Sequence, residues 1–199
     1  GAECSRAHAH RAEEPVPLRV GAMTAALVLL AFALGAGLVG YLFSYNSLVS
    51  ARQQVADAWA AIDVELERRH TLIPGLVSAV QATATHERVL LERLVNTDRR
   101  ARQAAGSAAE RSTPESELAT AARAVVALRE RYPALDTQRN FLQLQQELAI
   151  TEDRIGAARR FHNIKVAEYN RRTEAVPGNL VARRHHFALA DYFDLAADD

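Results

Sequence analysis

The residues best suited to metal chemistry are histidines that lie close to carboxylates along the chain. Glu67 and His70 have the Glu-x-x-His spacing of di-metal carboxylate bundles, which need two such motifs and two further inward-facing glutamates. The sequence contains the motif once. His86 and Glu87 are not followed by the second histidine of a His-Glu-x-x-His zinc site. We therefore expect no metal, no cofactor and no catalytic residue.

Other polar residues fall beside apolar ones in ways that favour structural roles. His162 occupies one step of an apolar seven-residue repeat, so we expect a hydrogen-bonded core histidine rather than a functional switch. Asn163 and Asn170 lie seven residues apart beside that repeat, where buried asparagines fix helix register; ligand binding is the alternative. Asp63 is expected to form a structural ion pair with Arg68 or Arg69 rather than to act in catalysis.

The elements that position these residues are predicted to be helices. The chain has 199 residues, of which only 9 are Gly and 6 are Pro, the residues least favourable in helices. Lys+Arg and Asp+Glu number 24 each, and this balance gives no reason to propose nucleic acid as a partner. A single cysteine, Cys4, excludes an intramolecular disulfide.

An uncharged apolar run near the N-terminus predicts a transmembrane helix. It covers residues 20–43, from Val20 to Phe43, and follows a short arm of residues 1–19. As a helix these residues span about 36 Å, enough for a hydrocarbon core of about 30 Å. A cleaved signal peptide is the alternative, but its apolar region is usually shorter.

Small residues recur at spacings of four inside this run. Ala33 with Gly37, and Ala36 with Gly40, would let two such helices approach closely, so they are candidates for helix–helix contact in a homo-oligomer. The arm carries three arginines, against Arg52 alone on the other flank. This bias places the N-terminus in the cytoplasm.

The remaining chain predicts a helical bundle over residues 45–176. Apolar spacings of three and four, interrupted by proline and a polar loop at 103–117, place helices at about 45–70, 74–104, 114–131 and 134–176. Ser112 or Thr113 would cap the third helix, with Pro114 at its first position. Pro74 either breaks or kinks the first helix. Residues 177–199 form a C-terminal segment that is expected to dock on the bundle.

Two apolar patterns define the expected core. Trp59 belongs to a stripe with Val55, Ile62 and Leu66, which predicts a core tryptophan. The last helix carries a seven-residue repeat, which predicts a seam against partner helices. Its six members are Phe141, Leu148, Ile155, His162, Tyr169 and Val176.

Several segments resemble the LemA family, in order along most of the chain. They are residues 45–49 (YNSLV), 58–66 (AWAAIDVEL), 68–74 (RRHTLIP), 86–87 (HE), 158–163 (ARRFHN), 168–170 (EYN) and 176–181 (VPGNLV).

The resemblance implies a bacterial single-pass membrane protein with a soluble four-helix bundle, which favours a break at Pro74. It supplies no catalytic residues, because no enzymatic activity is established for the family. Such proteins are often described with an outside N-terminus, opposite to the arginine bias. Two features depart from the usual pattern: His162 replaces a common aromatic, and residues 183–186 (RRHH) replace a more apolar, glycine-containing stretch.

We expect a membrane-anchored interaction or scaffold protein of the bacterial cytoplasmic membrane, without catalytic activity. Its expected partners are membrane lipid, other membrane or envelope proteins and, in a homo-oligomer, a second copy of itself, but not nucleic acid. One alternative is a small-ligand receptor or enzyme that uses a polar pocket among Asp63, Glu87, His162 and Asn163. Another is a membrane-remodelling oligomer.

Overall fold

The computed structural model describes residues 16–194, which form helices and connecting turns but no strand. The α-helices are α1 (Val16–Gln81), α2 (Arg88–Gln103), α3 (Ala108–Val126), α4 (Arg139–Glu174) and α5 (Gly178–His185), with 3-10 turns at Ala127–Glu130 and Pro133–Thr137. The all-α prediction is confirmed. Most of the predicted arm, 1–19, lies outside the described residues.

The chain divides into two units between Phe43 and Ser44. In the N-terminal unit, α1 exposes its apolar side chains from Met23 to Phe43, and Phe32 is 77% exposed. Among the described residues, α1 is the one helix long and apolar enough to cross a membrane. A Cβ atom added at Gly37 or Gly40 would meet nothing within 4 Å, so this surface is open to another helix.

The second unit buries one large hydrophobic cluster to which four helices contribute. Its members include Ile73, Leu76 and Val80 from α1, Leu91 and Leu94 from α2, Leu118 and Val125 from α3, and Phe141 and Leu148 from α4. Within each helix these residues recur at spacings of three, four or seven, which places them on one face.

The helix α1 continues through Pro74, so of the two alternatives, a break or a kink, the break is wrong, and so is the helix boundary placed at 70–74. Proline removes one backbone hydrogen bond and costs a helix about 3 kcal/mol. Ile73 and Leu76 are each only 2% exposed, so tertiary packing holds the helix on both sides of the proline. The first connection therefore falls at residues 82–87, between α1 and α2.

The predicted polar loop at 103–117 is also shorter than expected, because α3 begins at Ala108. Its cap is Ser107: the Glu110 N–H donates to Ser107 Oγ over 3.4 Å, and the Ser107 N–H donates to Glu110 Oε2 over 2.8 Å. This reciprocal capping box satisfies two N–H groups at once. Ser112 and Thr113 do not cap the helix, and Pro114 lies inside α3.

The repeat on α4 is buried through five of its six steps. Phe141, Leu148, Ile155, His162 and Tyr169 are each no more than 6% exposed. Val176 is 78% exposed, because α4 ends at Glu174 rather than at 176. The helix also begins at Arg139 rather than at 134, since the chain first forms a 3-10 turn.

The helix α5 and the segment that follows it pack against earlier helices of the second unit. Val181 and Ala182 of α5 pack against the buried Leu48 of α1. His186 then adopts a left-handed conformation with φ 56°, which ends α5. Residues 187–194 continue without regular secondary structure, and we call them the tail.

Candidate functional site

A cluster of charged side chains lies inside the helical unit, and each of four helices contributes to it. Arg69 and His70 of α1, together with Glu115 of α3, are at most 3% exposed. Asp98 of α2 and Glu152 of α4 approach the same cluster. We call these five residues the charged cluster.

Arg69 is the centre of the charged cluster. Its guanidinium forms an ion pair with the Glu115 carboxylate and donates a second hydrogen bond, of 3.1 Å, to the Glu115 backbone carbonyl. The other arm reaches Glu152 Oε1 at 3.0 Å. Arg69 therefore links α1 to α3 and to α4 through one side chain. Charged groups in a dry interior are tolerated only when paired in this way.

His70 connects the charged cluster to α2. Its Nδ1 lies 2.7 Å from Asp98 Oδ1, and its Nε2 lies 3.3 Å from Glu115 Oε1. Burial alone would lower the pKa of His70, but hydrogen bonds and charge interactions with Glu115 and Asp98 outweigh burial and raise it. With carboxylates beside both ring nitrogens, the doubly protonated ring can donate a hydrogen bond on each side, so this arrangement favours the charged form.

Glu115 is held as a carboxylate. Its burial would raise its pKa, but hydrogen bonds from His70 and Arg69 and their positive charges outweigh burial and lower it. The group is therefore a charged structural link rather than a carboxyl that exchanges protons near neutral pH. Within residues 16–194, no group of three His, Cys, Asp or Glu side chains is arranged to hold a metal ion.

Sequence reasoning missed this cluster, although the stripe on α1 carried a signal for it. Arg69 follows Leu66 by three residues and precedes Ile73 by four, so it occupies the one step of the stripe that lacks an apolar residue. The prediction that Asp63 pairs with Arg68 or Arg69 is wrong. Asp63 is 55% exposed at its side chain and pairs with Arg111 of α3 at 2.7 Å.

A second group of residues surrounds Trp59. The prediction of a core tryptophan is wrong: the indole is half buried and lines an open groove of about 430 Å³. Its ring makes edge contacts with His162 at 5.5 Å and Phe193 at 5.3 Å between centroids, and the Arg111 guanidinium lies 5.2 Å from its centroid.

His162 is 2% exposed, and its Nδ1 lies 3.3 Å from Asn163 Oδ1. Loss of water lowers the pKa of this histidine, and the Asn163 contact opposes that shift only in part. The pKa values of the two buried histidines thus shift in opposite directions: carboxylates raise that of His70, whereas desolvation lowers that of His162.

The sequence predicted that Asn163 and Asn170 fix the register of a helix seam, but their side chains bind the tail instead. Asn163 accepts from the Phe193 N–H at 3.0 Å and donates to the Phe193 carbonyl at 3.2 Å. Asn170 accepts from the Ala190 N–H at 2.9 Å and donates to the Ala190 carbonyl at 3.0 Å. We call these four bonds the asparagine clamp.

The spacing of the clamp follows from the geometry of the two chain segments. Seven helical residues advance about 10.5 Å, and three extended residues advance about 10 Å, so the amides at 163 and 170 match backbone groups at 193 and 190. The clamp holds Phe193, which is fully buried against Ile62, Leu66 and Ile155. Tyr169 adds a hydrogen bond of 2.7 Å from its hydroxyl to the Ala188 carbonyl.

The four members of the predicted polar pocket are not brought together. Glu87 accepts hydrogen bonds from Arg131 at 2.8 Å and Tyr132 at 3.0 Å, near the connection between α1 and α2. Asp63 faces Arg111 at the surface, while His162 and Asn163 lie beside the tail.

These features define an α-helical protein in which an apolar N-terminal helix runs into a unit held by a charged core and a clamped tail. A family model for the LemA family matches residues 58–199, so the chain belongs to the LemA family. That range contains the whole charged cluster and the asparagine clamp. No curated protein matches this chain in sequence.

Proposed function

We propose that this LemA-family protein is a single-pass, membrane-anchored helical scaffold of the bacterial cytoplasmic membrane and has no catalytic activity. The observation that carries the proposal is the continuity of α1, which is apolar and exposed up to Phe43 and packed into the second unit from Leu48 onward. One uninterrupted helix can therefore hold a folded unit at a membrane surface.

The anchor is supported by its length. Residues 23–43 are exposed, carry no charge and would span about 30 Å as a helix, which matches the hydrocarbon thickness of a bilayer. Carbonate extraction of membranes tests this part. The full chain should stay in the membrane pellet, and release into the supernatant would contradict the anchor.

The scaffold role is supported by the contacts that link the helices inside the second unit. We propose that the soluble part of α1 forms an antiparallel four-helix bundle with α2, α3 and α4. Connections of six residues (82–87), four residues (104–107) and twelve residues (127–138) are short enough for this arrangement. The charged cluster links all four helices with paired side chains, which supports a structural rather than a catalytic role.

The face offered to partners is proposed to lie on α4. Phe161 and Ile164 are 52% and 62% exposed and lie three residues apart, so they share one side of the helix. A photo-crosslinking residue at Phe161 should form discrete adducts with other membrane or envelope proteins in cells, whereas one at the exposed Arg139 should not. Equal labelling at both positions would contradict the face.

A second candidate function is a small-ligand receptor, favoured by the groove beside Trp59. The groove combines aromatic rings from Trp59, His162 and Tyr169 with the charged side chains of Arg52 and Asp191. A bound ligand would change Trp59 fluorescence. Screening of metabolites by that signal, with a Trp59→Phe control, separates this candidate from a scaffold that binds proteins only.

A further inference from the structure

Basic residues from distant parts of the sequence meet at one end of the helical unit. Segments 44–52 and 171–186 together contain five arginines and one acidic residue, Glu174. The segments are in contact, because Arg172 Nη1 donates to Ser47 Oγ at 3.2 Å and Leu48 packs on Val181. The fold thus adds the charges of the second segment to the single arginine of the first.

Three of these guanidinium groups are available for an external anion. Arg52, Arg183 and Arg184 are exposed, and none of them forms an ion pair within residues 16–194. Arg52 and His186 line one depression, and Arg183 and His186 line the next. We call Arg52, Arg183, Arg184 and His186 the α5 basic surface.

The acidic groups nearest this surface do not neutralise it. Glu174 lines the depression beside Arg183, and Asp191 lines the one beside Arg52, yet neither comes within ion-pairing distance of these arginines. Glu168, the next carboxylate on α4, is already paired with Arg172 and lies 3.5 Å from Lys165. Their charges lower its pKa.

Exposed apolar residues adjoin the basic ones. Val176, between α4 and α5, is 78% exposed, and Leu180, in the first turn of α5, is 65% exposed. A short helix that presents both apolar and arginine side chains has the composition of an interfacial membrane contact, in which the apolar groups enter the headgroup boundary.

The position of α5 along α1 supplies the link to a bilayer. The ring of Tyr45 lies 4.8 Å from the His185 ring and 6.1 Å from the Phe187 ring. Tyr45 follows Phe43, the last residue of the apolar segment, by two residues along the chain. The chain therefore passes from the apolar segment, after one intervening residue, to a residue that contacts α5.

We propose that the α5 basic surface binds the headgroup phosphates of anionic phospholipids in the bilayer that residues 20–43 cross. This inference rests on the proposed anchor. The guanidinium fork donates two parallel hydrogen bonds to a phosphate, and each arginine near an anionic surface strengthens binding about fivefold. The bound lipid would hold the helical unit against the membrane surface.

The test uses the full chain reconstituted in phosphatidylcholine bilayers, with or without about one-third phosphatidylglycerol. Hydrogen exchange of the α5 backbone, residues 178–185, is measured by mass spectrometry. We expect exchange to be slower in the anionic bilayer. The variant Arg183→Gln/Arg184→Gln should lose most of this slowing, up to about 25-fold, and high salt should abolish it.

A matched control removes the same charge at the other end of α4. Arg129 and Arg139 are exposed, and about 48 Å of helix separates residue 139 from residue 171. Arg129→Gln/Arg139→Gln should keep the slowing. Soluble glycerol phosphate added to the neutral bilayer should not slow the hydrogen exchange of α5. If it does slow the exchange, the surface binds free phosphate rather than lipid, and the proposal is wrong.

The proposal is also overturned if the exchange of α5 is equally fast in both bilayers. It is likewise overturned if the two double variants lose the slowing of exchange to the same extent. Exchange that slows only when a protein partner is added assigns the surface to that partner and overturns lipid binding. Carbonate extraction of the same samples reports the anchor separately. A chain that is extracted from both bilayers, yet is protected in the anionic one, would contradict the anchor while keeping the lipid site as a peripheral contact.

Discussion

At the scale of single residues, two buried histidines make opposite contributions to the pH dependence of stability. His162 has a lowered pKa in the folded chain because of its desolvation. The unfolded chain, with an ordinary value near 6.5, then takes up the proton more readily, so its contribution to stability falls as pH drops through about 6.5.

Replacing His162 with Phe should remove that acid sensitivity. Urea unfolding between about pH 5 and 8 gives the free energy of unfolding for both proteins. The wild type should lose more stability than His162→Phe toward pH 5. Parallel curves would mean that His162 is not a neutral core residue.

His70 should have the opposite effect on the pH dependence of stability. Its folded pKa is raised, so the stability that its charged form adds is fully present below about 6.5 and is lost as pH rises through the folded value. In the same unfolding experiment, His70→Gln should be most destabilised relative to wild type at low pH, and the difference should shrink toward high pH. A difference that grows with pH would contradict the doubly hydrogen-bonded imidazolium.

Arg69 should be the costliest single charge to remove. Arg69→Met leaves Glu115 buried with one fewer cationic partner, which destabilises by about 3–5 kcal/mol in comparable cases. Its neighbour provides the control: Arg68 is 52% exposed at its side chain, and its contact with Glu65 is 3.8 Å long, so Arg68→Met should cost less than about 1 kcal/mol. Urea unfolding of both variants checks the difference, and similar costs would contradict a buried pair.

At the scale of elements, the asparagine clamp should decide whether the tail stays on α4. In Asn163→Ala/Asn170→Ala, the N–H groups of Ala190 and Phe193 lose their acceptors, so their hydrogen exchange should accelerate. Trp59 fluorescence should shift to longer wavelength as Phe193 leaves its ring. The exposed Asn140→Ala is the control; unchanged exchange in the double variant would show that Phe193 alone holds the tail.

Only part of these elements could be predicted from the sequence. The repeat on α4 predicted buried positions at Phe141, Leu148 and Ile155, because a periodic pattern reports which face is covered. It could not show what covers Asn163 and Asn170, since their partner is a segment without helical periodicity. The burial of Arg69 could not be predicted without knowing that Glu115, 46 residues away, is its partner. The helical conformation at Pro74 depends on tertiary packing, which outweighs the local preference of proline against helix.

At the scale of the whole molecule, a charge in the apolar segment should prevent anchoring. Leu30→Arg places a guanidinium among exposed apolar side chains and should cost about 2.5–3.5 kcal/mol of insertion free energy. Carbonate extraction should release a larger share of this variant than of wild type. Ala61→Arg, at an exposed position of the second unit, should behave like wild type, and equal retention of all three proteins would contradict the predicted span.

The position of Phe193 also sets an order of events in time. The helices α2 and α3 are joined by four residues, 104–107, so their contacts close a short loop and can form early. Phe193 completes its cluster with Ile62 across roughly 130 residues of chain, and such distant contacts form late. We therefore expect the surface of α1 around Ile62 and Leu66 to lack the cover of Phe193 until this contact forms, and a chaperone that holds the folding chain to bind there.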